Sequence, residues 1–242
     1  MTERFYAESL IEGKLVELSP AESHHLAHVL RKKVGDEVQL FDGRGALATA
    51  EIKTVGRKTV QLSLLGDVQQ HAKQGPEITL ATAVPKGVRF RWLVEKATEL
   101  GVSSLVPLVT QYSVVRPSEG KLEKMRQTVI AAAKQSQALH LMEIHPPQSW
   151  DEFLASRSSG QSLFVAHPGG QSLLQAAFQR GHMNSVIISF GPEGGFTEAE
   201  IHEAEQVGGT SISLGEQILR IETAAITSAG FFRFLGNSSI EN

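Results

Sequence analysis

Short alternating runs of apolar and polar residues fill the N-terminal part of the chain, with the period of two that is typical of half-buried strands. Three such runs cover Glu37–Phe41, Leu47–Val55 and Thr59–Leu65. Asp42-Gly43 follows the first run and marks a tight turn. Short strands joined by tight turns predict a small β-barrel in this part of the chain.

One helix is predicted within this barrel module. The stretch Ser19-Pro20-Ala21-Glu22 combines a capping box with proline at the first helical position. The apolar side of the helix is formed by Leu26, Val29 and Leu30. After the last strand run, the polar stretch Asp67–Pro76 predicts a linker.

From Glu77 onward, apolar runs of strand length alternate with amphipathic helices, which predicts an α/β domain with a mostly parallel sheet. The predicted strands are Ile78–Val84, Leu105–Val109, Leu163–Ala166, Val186–Phe190 and Ser211–Leu214. The predicted helices are Phe90–Leu100, Lys121–Leu139, Trp150–Ser156, Leu173–Phe178, one that begins at the capping box Thr197–Glu200, and one from Glu222 onward. Open α/β sheets bind ligands at the carboxyl ends of their strands, so we expect the site there.

The last predicted helix is apolar on nearly every side. Its apolar residues include Ala224, Ala225, Ile226, Ala229, Phe231, Phe232 and Phe234. A helix without a polar face is buried, either in the core or at a subunit interface. We expect a homodimer that buries part of this helix, and placement in the core of one chain is the alternative.

Composition narrows the class of protein. The 242 residues suffice for one or two domains, and the absence of cysteine excludes a disulfide framework and a thiolate zinc site. The N-terminal residues lack the basic region and apolar core of a signal peptide. No apolar run approaches the roughly 20 residues of a membrane span. We therefore expect a cytoplasmic protein without a membrane partner.

The formal charge of −3 lacks the basic excess that is usual in nucleic-acid-binding proteins, so any RNA binding must use a local patch. Arg31-Lys32-Lys33, with Arg4 and Arg44, is a candidate patch for phosphate contacts. The alternative is that these cations only complement the dipole at the end of a helix. Three histidines at positions 24, 25 and 28 have no acidic or thiol partner at ligand spacing, so we predict no metal site.

The clearest chemical signal is Gly191-Pro192-Glu193-Gly194-Gly195, which stops the strand Val186–Phe190. Glycines let a backbone approach a ligand closely, whereas the carboxylate of Glu193 would repel a phosphate. A carboxylate among glycines suits ribose hydroxyls or a ligand with positive charge, and S-adenosylmethionine has both. The alternative is a tight turn without a ligand. Gly215–Ile221 and His167–Gly170 are further loops of ligand-binding type at strand ends.

These residues resemble a known family. GPEGG with an acidic helix start, followed by LGEQILRIETAA, is similar to the end of the SPOUT methyltransferases, and the closer resemblance is to the ribosomal RNA small-subunit methyltransferase E family. Supporting segments occur in order along both halves of the chain: RFY, HHLAHVLRKKVGDEVQLFDGRG, KGVRFRWLVEKATELGV, YSVVRPS and AAAKQSQ. The resemblance implies a PUA-like barrel at residues 1–72 and an α/β SPOUT methyltransferase domain at residues 73–242. A trefoil knot is implied at about residues 162–242.

The resemblance also implies an obligate homodimer, S-adenosylmethionine as methyl donor, and methylation of N3 of one uridine in the 16S rRNA of the small ribosomal subunit. The implied donor pocket consists of His167, Gly191, Pro192, Glu193, Gly194, Gly195, Leu214, Gly215, Ile218, Leu219, Arg220 and Thr223. Two positions depart from the family pattern. Ile221 replaces a threonine and removes its hydroxyl, and Leu139 stands where an arginine is expected to contact RNA or substrate.

Methylation at uracil N3 requires help from the protein, because N3 carries a proton at neutral pH. Arg220 is the first candidate for stabilising the anion, and Arg116 is the second. Glu222 is a candidate base, and its alternative role is to cap the last helix. The target base must leave its stack to reach the pocket. The residues predicted to contact RNA are Arg4, His25, Arg31, Lys32, Lys33, Arg44, Lys86 and Arg116. This chemistry requires no metal.

Two other classes of function remain open at the level of sequence. One is an α/β enzyme that acts on a small molecule or nucleotide, for which nucleotide binding without S-adenosylmethionine binding is the test. The other is a non-catalytic RNA-binding assembly factor, which would bind the donor without transferring its methyl group. The intact glycine loop, together with Arg220 and Glu222, argues against a decayed site.

Overall fold

The computed structural model describes residues 3–11, 13, 15–158 and 160–237, which belong to two compact units. The N-terminal unit contains the chain up to Lys73 together with Ala133–Leu141. The C-terminal unit contains Gln74–Ala132 and the chain from Met142 onward. Among the residues that the structure describes, no helix is both long and apolar enough to cross a membrane.

The N-terminal unit is built on one mixed sheet of five strands. In chain order these are β1 (Arg4–Tyr6), β2 (Leu15–Glu17), β3 (Glu37–Phe41), β4 (Ala46–Val55) and β5 (Val60–Gln70). The spatial order is β1-β3-β4-β5-β2, with β1 parallel to β3 and the other pairs antiparallel. β5 extends into the stretch predicted as a linker, so that prediction is wrong for its first four residues, 67–70.

This sheet curls round a single apolar core. Phe5 of β1 and Val16 of β2 come from opposite ends of the strand order, yet they lie in one buried cluster with Leu40, Ile52 and Leu62. The barrel-like module predicted from the alternating runs is therefore confirmed. Neither β1 nor β2 was predicted, because strands of three residues are too short to show a period.

Only half of the predicted capping box at Ser19 is present. The Ser19 hydroxyl accepts the Glu22 amide at 3.3 Å, whereas the Glu22 carboxylate accepts the Tyr6 amide instead of reaching back to Ser19. A helix does begin here, but it changes form after one turn. Ser19 is the N-cap of α1 (Pro20–His24). His25–Val29 continues as a π-helical turn, in which the amide of Leu30 donates to the carbonyl five residues earlier at 3.0 Å. The side chain of Val29 is 58% exposed, so the prediction that it joins the apolar side is wrong. The wider π-helical turn changes which residues face the core.

A second chain segment, Ala133–Leu141, completes the N-terminal unit, and we call it the strap. The Leu139 carbonyl accepts the Gly45 amide at 3.0 Å, and the Leu141 amide donates to the Gly43 carbonyl at 2.9 Å. Gly43 has φ of +74°, and a Cβ at this position would lie 2.6 Å from the Leu141 side chain. The strap therefore packs against the turn between β3 and β4, where only glycine fits.

The C-terminal unit is organised on seven parallel strands. In chain order these are β6 (Glu77–Ala83), β7 (Ser104–Val109), β8 (Glu143–Ile144), β9 (Gln148–Ser149), β10 (Ser162–Ser172), β11 (Ser185–Phe190) and β12 (Thr210–Ser213). The spatial order is β12-β10-β11-β6-β7-β8, and β9 also pairs with β7. The predicted parallel α/β sheet is confirmed, and β8 and β9, with two residues each, were not predicted.

Six helices cover this sheet: α2 (Arg89–Glu99), α3 (Glu119–Ser136), α4 (Trp150–Ser156), α5 (Leu173–Arg180), α6 (Glu198–Gln206) and α7 (Ile221–Asn237). Each corresponds to a predicted helix, with ends that shift by a few residues. The predicted capping box of Thr197 is present at the start of α6, and Ser149 forms a second one at the start of α4. Trp150 packs with Phe196 in the buried cluster on this face of the sheet, at a ring distance of 4.7 Å.

β10 is longer than the predicted strand Leu163–Ala166, because it resumes after an interruption. Ala166 and Gln171 both pair with Ile212 of β12. His167–Gly170 therefore leave the sheet, and the strand rejoins it at the position where it left. Sequence periodicity does not reveal a strand that is interrupted in this way.

α7 is buried on one face and exposed on the other. It packs against α2, β6 and β11, where Ala225, Ala229 and Phe232 are buried. Thr223 and Thr227 are exposed on the opposite face. One face of α7 is therefore placed in the core of this chain, as the alternative had it, and the homodimer that would bury the other face stays a prediction.

Arg233 of α7 fixes the end of α2. Its guanidinium donates to the Leu100 carbonyl at 3.1 Å, to the Gln74 carbonyl at 2.7 Å and to the Gly101 carbonyl. Burial lowers the pKa of Arg233, but an arginine remains charged in proteins. These hydrogen bonds are therefore charge-assisted.

Arg233→Met is expected to lower the free energy of unfolding by at least about 3 kcal/mol, because three carbonyls lose their charged donor and a hydrogen bond from a charged group contributes roughly 1.5–3 kcal/mol. Urea unfolding followed by circular dichroism measures the change. Arg126→Met is the control, since among the described residues the ion pairs of Arg126 are with Glu119 and Glu123 of its own helix α3. An equal loss in the two variants would contradict the prediction.

Candidate active site

The carboxyl ends of the parallel strands meet at one edge of the C-terminal sheet, so the loops that follow them are neighbours. The loops of β12, β10 and β11 comprise residues 214–220, 167–170 and 191–195, and these strands are adjacent. The loops after β6 and β7, residues 84–88 and 110–118, follow on the other side of β11. The loop 191–195, which we call the GPEGG loop, therefore lies between two groups of loops.

The GPEGG loop is a tight turn whose backbone packs on itself. The Gly195 amide donates to the Pro192 carbonyl at 2.8 Å, and Gly195 has φ of +75°. A Cβ on Gly191 would lie 2.8 Å from the carbonyl carbon of Gly195 and 3.0 Å from the nitrogen of Phe196. Backbone atoms cannot rotate away as a side chain does, so the turn itself requires glycine at position 191.

The excursion His167–Gly170 is shaped by a close approach of two backbones. A Cβ on Gly170 would lie 2.5 Å from the nitrogen of Ile212, so glycine allows β10 to rejoin β12. The Gly169 amide donates to Nδ1 of His167 at 3.1 Å. A neutral ring that accepts at Nδ1 carries its proton on Nε2, and this nitrogen is then a donor for a ligand.

The loop 214–220 connects β12 to α7 and is largely exposed. Ile218 is 93% exposed, and Gly215 has φ of +122°. Arg220 is exposed, and its carbonyl accepts the Ala224 amide at 2.9 Å where α7 begins. The remaining predicted donor contacts of this region are the half-buried Leu214 and Leu219 and the exposed Thr223.

Glu222 is a buried carboxylate in the first turn of α7. Its side chain is 8% exposed, and Oε1 lies 3.9 Å from Nη1 of Arg89. Oε2 is buried and has no hydrogen-bond partner among the described residues. An acceptor in this state is able to receive a donor from a ligand.

Arg89 faces two of the predicted site carboxylates. Its guanidinium lies 3.9 Å from Glu222, and Nη2 lies 3.5 Å from Oε1 of Glu193 in the GPEGG loop. Arg89 was not predicted from the sequence, because it lies on α2, far from both carboxylates in the chain. No short motif relates such positions, and only the tertiary fold brings them together.

An open surface cleft borders the GPEGG loop. It is lined by Pro192 and Glu193 after β11, by Val84 and Lys86 after β6, and by Ser113–Val115 after β7. Lys86, which the sequence predicted as an RNA contact, therefore lies at the site. Arg116 follows in the 110–118 loop and is exposed.

Two predicted RNA contacts of the N-terminal unit have partners within that unit. Nη1 of Arg4 donates to the Gln137 carbonyl of the strap at 2.6 Å. Nη2 of Arg44 donates to the Glu8 carbonyl at 2.7 Å. These bonds engage part of each guanidinium in stabilising the fold, so RNA would compete with a carbonyl for some of the donors.

The cationic stretch after the π-helical turn is more accessible. Lys32 pairs with Glu3 at 2.9 Å, whereas Arg31 and Lys33 are exposed. Arg31 has φ of +55°, a conformation that is uncommon for a residue with a side chain. The contacts of these residues with RNA stay predictions.

His25 belongs to a charge cluster that the sequence did not reveal. Nζ of Lys134 in the strap lies 2.9 and 2.8 Å from the two carboxylate oxygens of Glu22 and 3.1 Å from Nδ1 of His25. The same ammonium lies 4.8 Å from the ring centre of Phe5. Burial lowers the pKa of His25, and the charge of Lys134 lowers it further. His25 therefore contacts Lys134 within the N-terminal unit, in addition to its predicted role in RNA binding.

Comparisons with known proteins agree with this architecture. The sequence profile of the RNA methyltransferase domain matches residues 73–233, and that of the RNA methyltransferase PUA domain matches residues 18–65. The chain is 32% identical to Ribosomal RNA small subunit methyltransferase E of Synechocystis sp., over 90% of this chain and 72% of that protein. The chain belongs to the ribosomal RNA small subunit methyltransferase E family. The protein of the same name from Rickettsia conorii is 30% identical over 97% of this chain and 96% of its own length.

A solved structure from the family shares the fold. The crystal structure of a Ribosomal RNA small subunit methyltransferase E from Neisseria gonorrhoeae, bound to S-adenosylmethionine, matches with a TM-score of 0.87. The two chains are 27% identical, and the match covers 97% of this chain and 98% of the other. The PUA-like unit and the α/β methyltransferase fold are thus confirmed. The knot and the roles of individual residues stay predictions.

Proposed function

We propose that this member of the family transfers a methyl group from S-adenosylmethionine to N3 of one uridine in the 16S rRNA of the small ribosomal subunit. The observation that carries the proposal is the position of the GPEGG loop, between the predicted donor loops and an open cleft. The name of the relatives states that they methylate small-subunit ribosomal RNA. The choice of uridine N3 rests on the resemblance of the sequence motifs.

The residues at this edge of the sheet fit S-adenosylmethionine. Glycines at both ends of the GPEGG loop allow its tight turn, and Nε2 of His167 can donate to a ligand while Nδ1 accepts the Gly169 amide. The carboxylates of Glu193 and Glu222 offer acceptors and negative charge. The donor supplies an electrophilic methyl group on a sulfonium that these charges attract. In this proposal it is held by His167, Gly191, Pro192, Glu193, Gly194, Gly195, Leu214, Gly215, Ile218, Leu219, Arg220 and Thr223.

The proposed chemistry follows from the needs of uracil, whose N3 becomes nucleophilic only after losing its proton. Glu222 is the candidate base, because its Oε2 is buried and has no partner within the part of the chain that the structure describes. Arg220 and Arg116 are exposed in loops at the same edge of the sheet and are candidates for stabilising the uracil anion. If Glu222 only pairs with Arg89 and caps α7, the proton passes to solvent instead.

RNA binding is proposed for both domains of the chain. Residues 1–72 form the RNA-binding domain, and its contacts are Arg4, His25, Arg31, Lys32, Lys33 and Arg44. Residues 73–242 form the methyltransferase domain, with Lys86 and Arg116 as RNA contacts and the knot from about residue 162. Because the target base must leave its stack, the shape of the folded RNA contributes to recognition.

The proposed functional form is a cytoplasmic homodimer. The exposed face of α7 carries Thr223, Thr227 and a Phe234 side chain that is 68% exposed. Ile218, in the loop before this helix, adds further exposed apolar surface. A second copy of the chain would cover such a surface by packing the same face against itself.

The experiment that tests the proposal measures transfer of a radiolabelled methyl group from S-adenosylmethionine to 30S subunits that lack the native modification. Label is expected at N3 of a single uridine. Arg220→Ala is expected to lower the rate of transfer about 100-fold, as is usual when a group that stabilises an anion in the transition state is removed. Arg91→Ala, an exposed arginine on α2, is the control and is expected to leave the rate unchanged.

The other outcomes separate the rival functions. Donor binding without any transfer of label would replace the proposal with a non-catalytic assembly factor. Tight binding of nucleotides without binding of S-adenosylmethionine would favour an enzyme acting on small molecules. If Arg220→Ala keeps full activity, the proposed function stands, but Arg220 does not stabilise the uracil anion.

A further inference from the structure

Glu200 is a buried carboxylate that contacts two separate segments of the C-terminal unit. It is 8% exposed and lies in the first turn of α6. Its Oε2 accepts the amide of Thr197 at 2.8 Å and the hydroxyl of the same residue at 3.1 Å, which completes the capping box. Its Oε1 accepts the amide of Gln111 at 2.9 Å, in the loop after β7.

Each of the two segments that Glu200 joins is continuous with a loop that lines the cleft. Thr197 follows the GPEGG loop after one intervening residue, so the start of α6 determines where that loop ends. Gln111 opens the 110–118 loop, which contributes Ser113–Val115 to the cleft and carries Arg116. Tyr112 of the same loop packs against the GPEGG loop, since a Cβ on Gly194 would lie 3.2 Å from the Tyr112 side chain.

We propose that Glu200 is a positioning residue of the methyltransferase, which holds the 110–118 loop against the GPEGG loop through the amide of Gln111. The inference rests on the proposed function, because it assumes that the cleft between these loops receives the RNA base. Glu200 does not touch substrate or donor in this role. Glu200 fixes the distance between the GPEGG loop and the loop 110–118, which carries Arg116.

A carboxylate is required here, because both of its oxygens accept hydrogen bonds. A glutamine has one oxygen and one NH2 group, so it can satisfy either Thr197 or Gln111 but would turn its NH2 toward the other amide. Glu200→Gln therefore breaks one of the two links while changing the shape of the side chain very little. An amide left without an acceptor in this buried place favours movement of the loop.

The chain contains a matched control in α4. Glu152 forms the same capping box with Ser149, where Oε2 accepts the Ser149 amide at 2.9 Å and its hydroxyl at 2.8 Å. Glu152 is exposed, whereas Glu200 is buried and also accepts the amide of Gln111. Comparing Glu152→Gln with Glu200→Gln thus separates the effect of a weakened cap from the effect of the lost loop contact.

A second variant removes the same hydrogen bond from the other side. Gln111 is the second residue of a turn that the Ser113 amide closes by donating to the Thr110 carbonyl at 3.1 Å. Proline is favoured at this position of a turn and has no amide hydrogen. Gln111→Pro therefore deletes the donor and preserves the turn.

The experiment measures kcat for methyl transfer, the KM for RNA and the Kd for S-adenosylmethionine in the full-length protein. Glu200→Gln and Gln111→Pro are each expected to lower kcat about tenfold or more, because small misplacements of reacting groups have large effects on rate. The Kd for the donor is expected to stay within about threefold, and the double variant to be no slower than the slower single variant. Glu152→Gln is expected to match the wild type.

Hydrogen exchange of residues 110–118 provides a readout that does not depend on activity. Faster exchange is expected in Glu200→Gln and Gln111→Pro, but not in Glu152→Gln. Unchanged exchange in Glu200→Gln, or a loss of kcat in Glu200→Gln without one in Gln111→Pro, would overturn the inference. If the wild type methylates no RNA, the proposed function fails, and the exchange data alone then decide whether Glu200 holds this loop.

Discussion

Gly191→Ala is expected to weaken S-adenosylmethionine binding about 100-fold, because the GPEGG loop cannot keep its shape around a methyl group at this position. The added Cβ would lie 2.8 Å from the carbonyl carbon of Gly195 and 3.1 Å from its oxygen. Both are backbone atoms, so relief requires opening of the turn and loss of the bond from Gly195 to Pro192. Isothermal titration calorimetry with the purified protein measures the affinity.

The control for this variant is Gly120→Ala. Gly120 lies in the first turn of α3, and a Cβ there would have no atom within 4 Å. The control is expected to bind the donor normally and to be at least as resistant to urea as the wild type, because alanine favours a helix more than glycine does. Donor affinity of Gly191→Ala within about threefold of the wild type would show that the GPEGG loop is a turn without a role in donor binding.

Lys134→Met is expected to lower the free energy of unfolding by about 3 kcal/mol, because it leaves a nearly buried carboxylate without its cation. The side chains of Lys134 and Glu22 are 14% and 12% exposed, and the ammonium contacts both carboxylate oxygens. Only the Tyr6 amide, at 3.0 Å, would remain as a hydrogen-bond donor to this carboxylate among the described residues. Urea unfolding, with hydrogen exchange of the strap residues 133–141, measures the loss.

Lys124→Met is the matched control, since Lys124 lies on the same helix with an exposed side chain. It is expected to unfold as the wild type does. Removing both charges, in Lys134→Met with Glu22→Gln, is expected to restore part of the stability, because a neutral pair has no buried charge to compensate. Equal stability of Lys134→Met and Lys124→Met would show that the contact between Lys134 and Glu22 does not stabilise the fold.

The parts of the fold that the sequence predicted have local causes. The strand that ends at Phe190 is a run of apolar residues, and the helix that follows starts at a capping box whose residues, Thr197 and Glu200, are three positions apart. Such signals depend on neighbours in the chain, and the structure confirms them. The return of β10 to the sheet at Gln171 depends on its contact with β12, and no local pattern encodes that contact.

The same distinction applies to the site. The glycines of the GPEGG loop predicted a close approach of the backbone to a ligand, with a tight turn as the alternative. The structure shows the tight turn, and the contact with a ligand stays a prediction. The second role of Glu200 could not be predicted, since Gln111 is 89 positions away in the chain. Glu193 was interpreted from its charge alone, and its partner Arg89 was not foreseen, because no local pattern relates the two.

A ribosome makes this chain from its N-terminus, so the sheet of the N-terminal unit leaves the exit tunnel well before the strap Ala133–Leu141. Until the strap emerges, Arg4 lacks the Gln137 carbonyl and Glu22 lacks Lys134. The N-terminal unit therefore stays incomplete while Gln74–Ala132, the first part of the C-terminal unit, is translated. A chain that stops between residues 73 and 133 therefore lacks the segment that completes the N-terminal unit.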